Sequence, residues 1–196
     1  SWIRDGALTS AALLGMGYTD EVRQFLLWYA PYQFPDGNVP CCVDKRGADP
    51  VPEHDSHGEL IYAIMEYYRY TRDVGFLREM WPHVVKAVGY IDFLRQQRLT
   101  ERYRTVRADV AYWGLVPESI SHEGYSSHPR HSYWDNFFIL RGLKDAAAIA
   151  VILGEDESAA RFAALRDAFR RDLYASILET IKVHRIDFIP GAVELG

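Results

Sequence analysis

Apolar side chains recur along this chain at intervals of three and four residues, the spacing that lines one face of an α-helix, and they show no convincing strand alternation. The pattern predicts paired helices. The first pair covers 5–16 and 20–29, with Gly17 as the stop, Thr19 as N-cap, and Val22, Phe25, Leu26 and Tyr29 on one buried face. The second pair begins at Ser56, which reads as a capping box with Glu59 three residues on, and continues through Leu60, Ile61, Ile64, Met65 and Tyr68 to Arg72. Asp73 can then cap a partner helix carrying Phe76, Leu77, Met80, Val84, Val85, Val88, Ile91 and Leu94, in which Pro82 marks a fresh first turn or a kink. A third pair covers 132–153, closed by Gly154, and 156–176.

Long connections separate the pairs. That over 31–52 holds the turn signals Pro35-Asp36-Gly37-Asn38 and Gly47-Ala48-Asp49-Pro50, and that over 100–131 is dense in aromatic, histidine and carboxylate residues. Connections of this length in a packed domain are usually functional or disordered. The expected fold is all-α: three helical hairpins with long functional loops.

Composition narrows the function. With 48% apolar and 25% charged residues the chain reads as a globular domain, and disordered, collagenous and low-complexity classes are excluded. Its net charge of −5, from 22 Lys and Arg against 27 Asp and Glu, is the wrong sign for a nucleic-acid binder, and no nucleic-acid partner is expected. No apolar run is long enough for a membrane span. The adjacent Cys41 and Cys42 do not make a disulfide framework and do not decide a redox compartment.

Four motifs carry a family resemblance. Trp2-Ile3-Arg4-Asp5-Gly6, with the tract Gly17-Tyr18-Thr19-Asp20-Glu21, resembles the tryptophan-x-arginine-aspartate motif of the glucoamylase-like six-hairpin glycosidases. Pro52-Glu53-His54-Asp55-Ser56-His57-Gly58-Glu59-Leu60 is similar to their second inner-helix entry, and Trp81-Pro82 to the start of a helix ending in a tyrosine-rich stretch. Tyr112-Trp113-Gly114-Leu115-Val116-Pro117-Glu118-Ser119, followed by Tyr133-Trp134-Asp135-Asn136-Phe137-Phe138, resembles the general-acid loop and the next inner helix. The resemblance implies an (α/α)6 toroid with a carbohydrate pocket where the inner helices begin, of which three hairpins form about half. It implies a glycoside hydrolase, inverting, in carbohydrate metabolism. Residues 1–196 would be a fragment of the catalytic domain, partnered by its missing C-terminal half, and inactive when isolated. A second catalytic carboxylate is expected beyond Gly196.

Inverting hydrolysis needs a carboxylic acid for the leaving oxygen and a carboxylate for water, about 6.5–9.5 Å apart. Glu118 is the candidate acid, because an aromatic loop after Pro117 would desolvate it and raise its pKa. Glu123 competes, with His122 beside it able to hold it ionised. Ser119, His122 and Tyr125 offer hydroxyls and an imidazole to a sugar, while Ser and Gly are also ordinary loop residues. Arg4 and Asp5 form the first binding candidate, a guanidinium steadying a carboxylate that accepts sugar hydroxyls; the plainer alternative for Asp5 is a helix-dipole contact. Trp2 and Trp134 supply flat apolar faces for a pyranose, Trp28 and Trp81 being left to packing. His54 and Asp55 at the second inner helix, and Asp135 at the third, are either substrate contacts or capping groups.

His54 and His57, flanked by Glu53, Asp55 and Glu59, lack the His-Glu-x-x-His arrangement of a catalytic metal site. No cofactor and no catalytic metal are expected, with a structural calcium in the acidic loops left open. Two other readings compete: a phosphorylase or lyase on the same fold, and a non-catalytic helical-repeat interaction domain. The second predicts that the helix tips do not meet in one concave end.

Overall fold

The computed structural model describes residues 1–120 and 127–195. Seven α-helices appear among them: α1 Ile3–Gly15, α2 Thr19–Tyr29, α3 Asp55–Thr71, α4 Val74–Gln96, α5 Glu101–Thr105, α6 Tyr133–Leu153 and α7 Asp156–His184. They form two rows. The helices α1, α3 and α6 pack side by side, and α2, α4 and α7 lie behind them, each against its hairpin partner, with α2 also meeting α3 and α4 meeting α6.

The core between the rows follows from helical periodicity. Leu60, Ile61 and Ile64 of α3, Ile139, Leu143 and Ala146 of α6, Leu77, Val84 and Ile91 of α4, and Phe162, Phe169 and Leu173 of α7 are all fully buried. The closest approach is between α3 and α6, where small residues let backbones touch. A Cβ on Gly58 would fall 2.0 Å from the Phe138 carbonyl oxygen, and one on Gly142 would fall 2.6 Å from the Gly58 Cα.

Several boundaries depart from the sequence expectation, each for a local reason. The α3 helix starts two residues early, with His54 and not Ser56 as N-cap, so Ser56 lies inside it and there is no capping box; the Ser56 Oγ is buried without a partner. Tyr18, not Thr19, is the N-cap of α2. Trp81-Pro82 does not begin a helix but lies within α4, whose true start is the Asp73 side chain accepting from the Phe76 N–H at 2.9 Å. The α7 helix runs past residue 176 to His184 because Tyr133 of α6 anchors it, its hydroxyl meeting Ser176 Oγ at 2.9 Å and Thr180 Oγ1 at 2.8 Å. Gly154 closes α6 in the left-handed conformation.

The two long connections carry small elements of their own. A hairpin of β1 Val43–Asp44 and β2 Gly47–Ala48 turns back in register Val43↔Ala48, and Trp2 pairs with Cys42 on its other side. One 3-10 turn, Val110–Tyr112, packs on α7.

Candidate active site

The first turns of α1, α3 and α6 meet in one polar cluster. Arg4 of α1 directs Nε at 2.9 Å and Nη2 at 2.8 Å to one oxygen of Asp55, the first residue of α3, and Nη2 also reaches Glu53 at 3.3 Å. Trp134 of α6 donates its indole N–H to that same Asp55 oxygen at 2.8 Å. The Arg4 guanidinium lies 5.8 Å from the Trp134 ring centre. Asp55 is wholly buried, whereas Trp134 is 45% exposed, so one carboxylate fixes both the cation and the edge of an indole that Phe138 and Arg4 cover in part and that otherwise reaches solvent. Residues far apart in the chain are joined because their helices begin at the same end of the inner row.

Two further carboxyls sit beneath this contact. Asp135, next to Trp134, accepts a hydrogen bond from the Ser119 hydroxyl, and its own backbone N–H is capped by Ser132 Oγ at 3.3 Å. Burial, reinforced by the Asp55 charge and opposed by Ser119, Ser132 and Arg4, pushes the Asp135 carboxyl up to about 8. Glu59, one turn beyond Asp55, is driven well above the usual carboxylate range by burial and then by Asp55, with Arg4 opposing. A protonated Glu59 can donate to Asp55, which supplies a partner to oxygens that otherwise lack one. Glu59 Oε1 is 3.8 Å from Arg4 Nε, too far for a hydrogen bond. The cluster therefore shares its negative charge among fewer groups than its composition suggests.

Glu118 belongs to a second cluster. It pairs with Arg98, just past the end of α4, and lies 3.4 Å from His131 Nε2; Arg98 Nε donates to that same nitrogen at 3.0 Å, and His131 Nδ1 meets Glu194 Oε1 at 2.7 Å. These side chains, with Arg102, Tyr103, Asp109, Tyr112 and Pro129, line a groove of about 360 Å³. The upward shift that the sequence suggests for Glu118 is not found. Partial burial does push its carboxyl up, but its own backbone N–H, the Arg98 guanidinium and His131 outweigh that and hold it below the usual range.

The remaining candidates sort as follows. Asp5 is exposed on the first turn of α1, and among the described residues no hydrogen bond or ion pair of Asp5 joins either cluster. Trp2 is half-buried where the chain enters α1. Ser119 is buried under Asp135. His122, Glu123 and Tyr125 lie outside the described residues. Sequence reasoning missed Arg98 and Glu194, which stand outside every motif, and assigned Glu59 to capping; its position one helical turn after Asp55, on the same face, was the available signal.

His54 is 5% exposed, and burial pushes it down to about 4, with Glu118 opposing and His131 and Arg98 adding to the fall; burial and then His54 drive His57 well below its usual range. His54 is thus neutral in the folded protein where the unfolded chain takes up a proton below about 6.5. Stability present above that pH is lost as pH falls towards 4. Asp135 and Glu59, with raised values, run the other way, so the effect is read as a difference between variants. Between pH 7 and 4.5, wild type should lose about 2 kcal/mol of unfolding free energy relative to His54→Gln, at 1.36 kcal/mol per pKa unit. Parallel urea-unfolding curves for the two proteins at both pH values would contradict the buried neutral imidazole.

The described helices thus form a two-row array with carboxylates, a guanidinium and an indole at one end of the inner row. The chain matches the model of the bacterial alpha-L-rhamnosidase 6 hairpin glycosidase domain over residues 1–180, and it belongs to that family. No curated protein and no solved structure gives a match.

Proposed function

We propose that this chain supplies one wall of a glycosidase active site, part of a carbohydrate-degrading hydrolase. The observation that carries the proposal is the Asp55 oxygen held jointly by Arg4 and Trp134, because it braces an exposed aromatic face beside fixed charge. A pyranose presents apolar C–H faces and equatorial hydroxyls, which such a surface matches. Asp5, open to solvent on the adjoining turn, accepts sugar hydroxyls, and Trp2 closes the rim. The family's name specifies six hairpins and three pairs of long helices are described here, so the reading places three further hairpins, completing an (α/α)6 toroid, in the same protein.

Within this reading the mechanism is inverting, and the proton donor is assigned by elimination to Glu123, with His122 serving the substrate and not that carboxylate. Glu118 is the poorer donor, because Arg98 and His131 favour its ionised form, and an acid must hold a proton near neutrality. Glu118 instead fixes Arg98 and His131 as a wall of the groove. The second carboxylate, which activates water, comes from the further hairpins.

Leaving-group dependence tests this assignment in the intact protein. Glu123→Gln should cut kcat on unactivated glycosides by about 10²–10⁴-fold, and much less on nitrophenyl glycosides, whose leaving groups need no proton. Glu118→Gln should act chiefly on KM. The reverse pattern, with Glu118→Gln showing the leaving-group dependence, would move the acid to Glu118.

A further inference from the structure

The β1–β2 hairpin places three potential metal ligands together outside the saccharide cluster. Its register continues one step beyond Val43↔Ala48, so that Asp49 lies opposite Cys42 and its N–H donates to the Cys42 carbonyl at 2.9 Å. The Cys42 sulfur is 3.9 Å from Asp49 Oδ2. The preceding residue, Cys41, is buried, and one ligand atom from each of Cys41, Cys42 and Asp49 lies within 4.8 Å of the others. Both thiols are free.

We propose that Cys41, Cys42 and Asp49 bind a divalent zinc-type cation. Two sulfurs bound at about 2.3 Å in a tetrahedron are separated by about 3.8 Å, so this spacing needs only small side-chain adjustments. Thiolates select zinc over calcium or magnesium, which want oxygen ligands only. The carboxylate is already oriented: Asp49 Oδ1 accepts from the Val51 N–H at 3.0 Å, which leaves Oδ2 for the metal. Cys42 and Asp49 are half-exposed, and Asp49 also lines a hollow of about 230 Å³ with Asp44, Arg46 and Gly47, which gives water access from the carboxylate side as a fourth ligand.

Such an ion would act on the neighbouring site by position. The Cys41 carbonyl accepts the Ile3 N–H at 3.0 Å, and Cys42 pairs with Trp2. Clamping the two cysteines to Asp49 therefore fixes the strand that leads into α1, and with it Arg4. The proposal rests on the hairpin alone and stands or falls independently of the glycosidase reading.

Cobalt provides the probe. The intact protein, reduced and stripped with a chelator, is titrated with Co²⁺ and then with Zn²⁺. The expected result is a thiolate-to-cobalt charge-transfer band that zinc abolishes, and a rise in melting temperature on adding zinc. Loss of a group that merely supports a metal ligand costs about 10–100-fold in affinity, so Cys42→Ser and Asp49→Asn should each cost at least about tenfold. Asp49→Asn is a half-exposed, isosteric change, so an unaltered far-UV circular dichroism spectrum keeps the test valid if a cysteine variant misfolds. Absence of the band, affinity unchanged in either variant, or a thiol assay showing Cys41 and Cys42 joined as a disulfide in the protein before reduction would overturn the site.

Discussion

Replacing Asp55 with Asn is expected to lower kcat/KM on glycoside substrates by at least about a hundredfold while costing only about 1–2 kcal/mol of stability. The two effects separate for a physical reason. Asn cannot offer one anionic oxygen to both Arg4 and the Trp134 indole, so the guanidinium and the ring are no longer locked together. Breaking a buried ion pair ordinarily costs about 3–5 kcal/mol, because a charge is left without a partner. Here Glu53 still reaches Arg4 at 3.3 Å, and Glu59, no longer repelled by Asp55, can ionise beside it. Charge is thus redistributed, and folding is spared more than function. Steady-state kinetics and chemical denaturation on the same preparation measure both quantities; equal losses of stability and activity would mean that Asp55 serves the fold alone.

The second large effect is expected from Gly58→Ala. Alanine is favoured over glycine in a helix interior by about 1 kcal/mol, so propensity alone predicts stabilisation. Packing reverses the sign. The new methyl would lie 2.0 Å from the Phe138 carbonyl oxygen and 2.4 Å from its carbon, which are backbone atoms that cannot rotate away. The helices α3 and α6 must part, and a net loss of about 3 kcal/mol follows, at the upper end of ordinary overpacking. Gly89 in α4 is the control: it is exposed, a Cβ there meets nothing within 4 Å, and Gly89→Ala should add about 0.5–1 kcal/mol. Denaturation midpoints moving the same way in both variants would contradict the close α3–α6 crossing. Gly58 lies one turn into α3, so its replacement should also weaken the Asp55–Trp134 hydrogen bond.

These two cases mark how far the fold and the site were legible in the sequence. The helices were legible because a buried stripe such as Leu60, Ile61 and Ile64 repeats at helical spacing whatever its partner. Chain reversals were equally local: Gly154 takes the left-handed conformation and Asp73 caps α4, and both depend on neighbours a few residues away. What depended on distant partners was not legible. The extra turns of α7 are fixed by Tyr133, more than forty residues earlier, and Ser56 lost its capping role to a two-residue shift in the start of α3.

The site divides along the same line. Arg4, Asp55, Trp134 and Asp135 could be named as candidates because each stands at a helix start, but only the folded chain brings them together. The protonation states were misread for the same reason. Glu118 sits in an aromatic loop that suggests desolvation, yet Arg98, just past α4, and His131, at the far end of the same connection, decide its charge. Asp135 and Glu59, which the sequence offered as capping groups, are the carboxyls that burial pushes upward. A titration depends on the charges packed around a group, and nearby sequence reports few of them.

The central claim is that the first turns of α1, α3 and α6 surround one saccharide unit. A crystal structure of the intact protein with a bound monosaccharide, made with Glu123→Gln to prevent turnover, tests it most directly. The account predicts the ring against the exposed Trp134 indole, with hydroxyls within about 3 Å of Arg4 or Asp5. A sugar lodged instead in the groove of about 400 Å³ formed by Tyr103, Trp113, Asp172 and Glu179, with Trp134 bare, would contradict it.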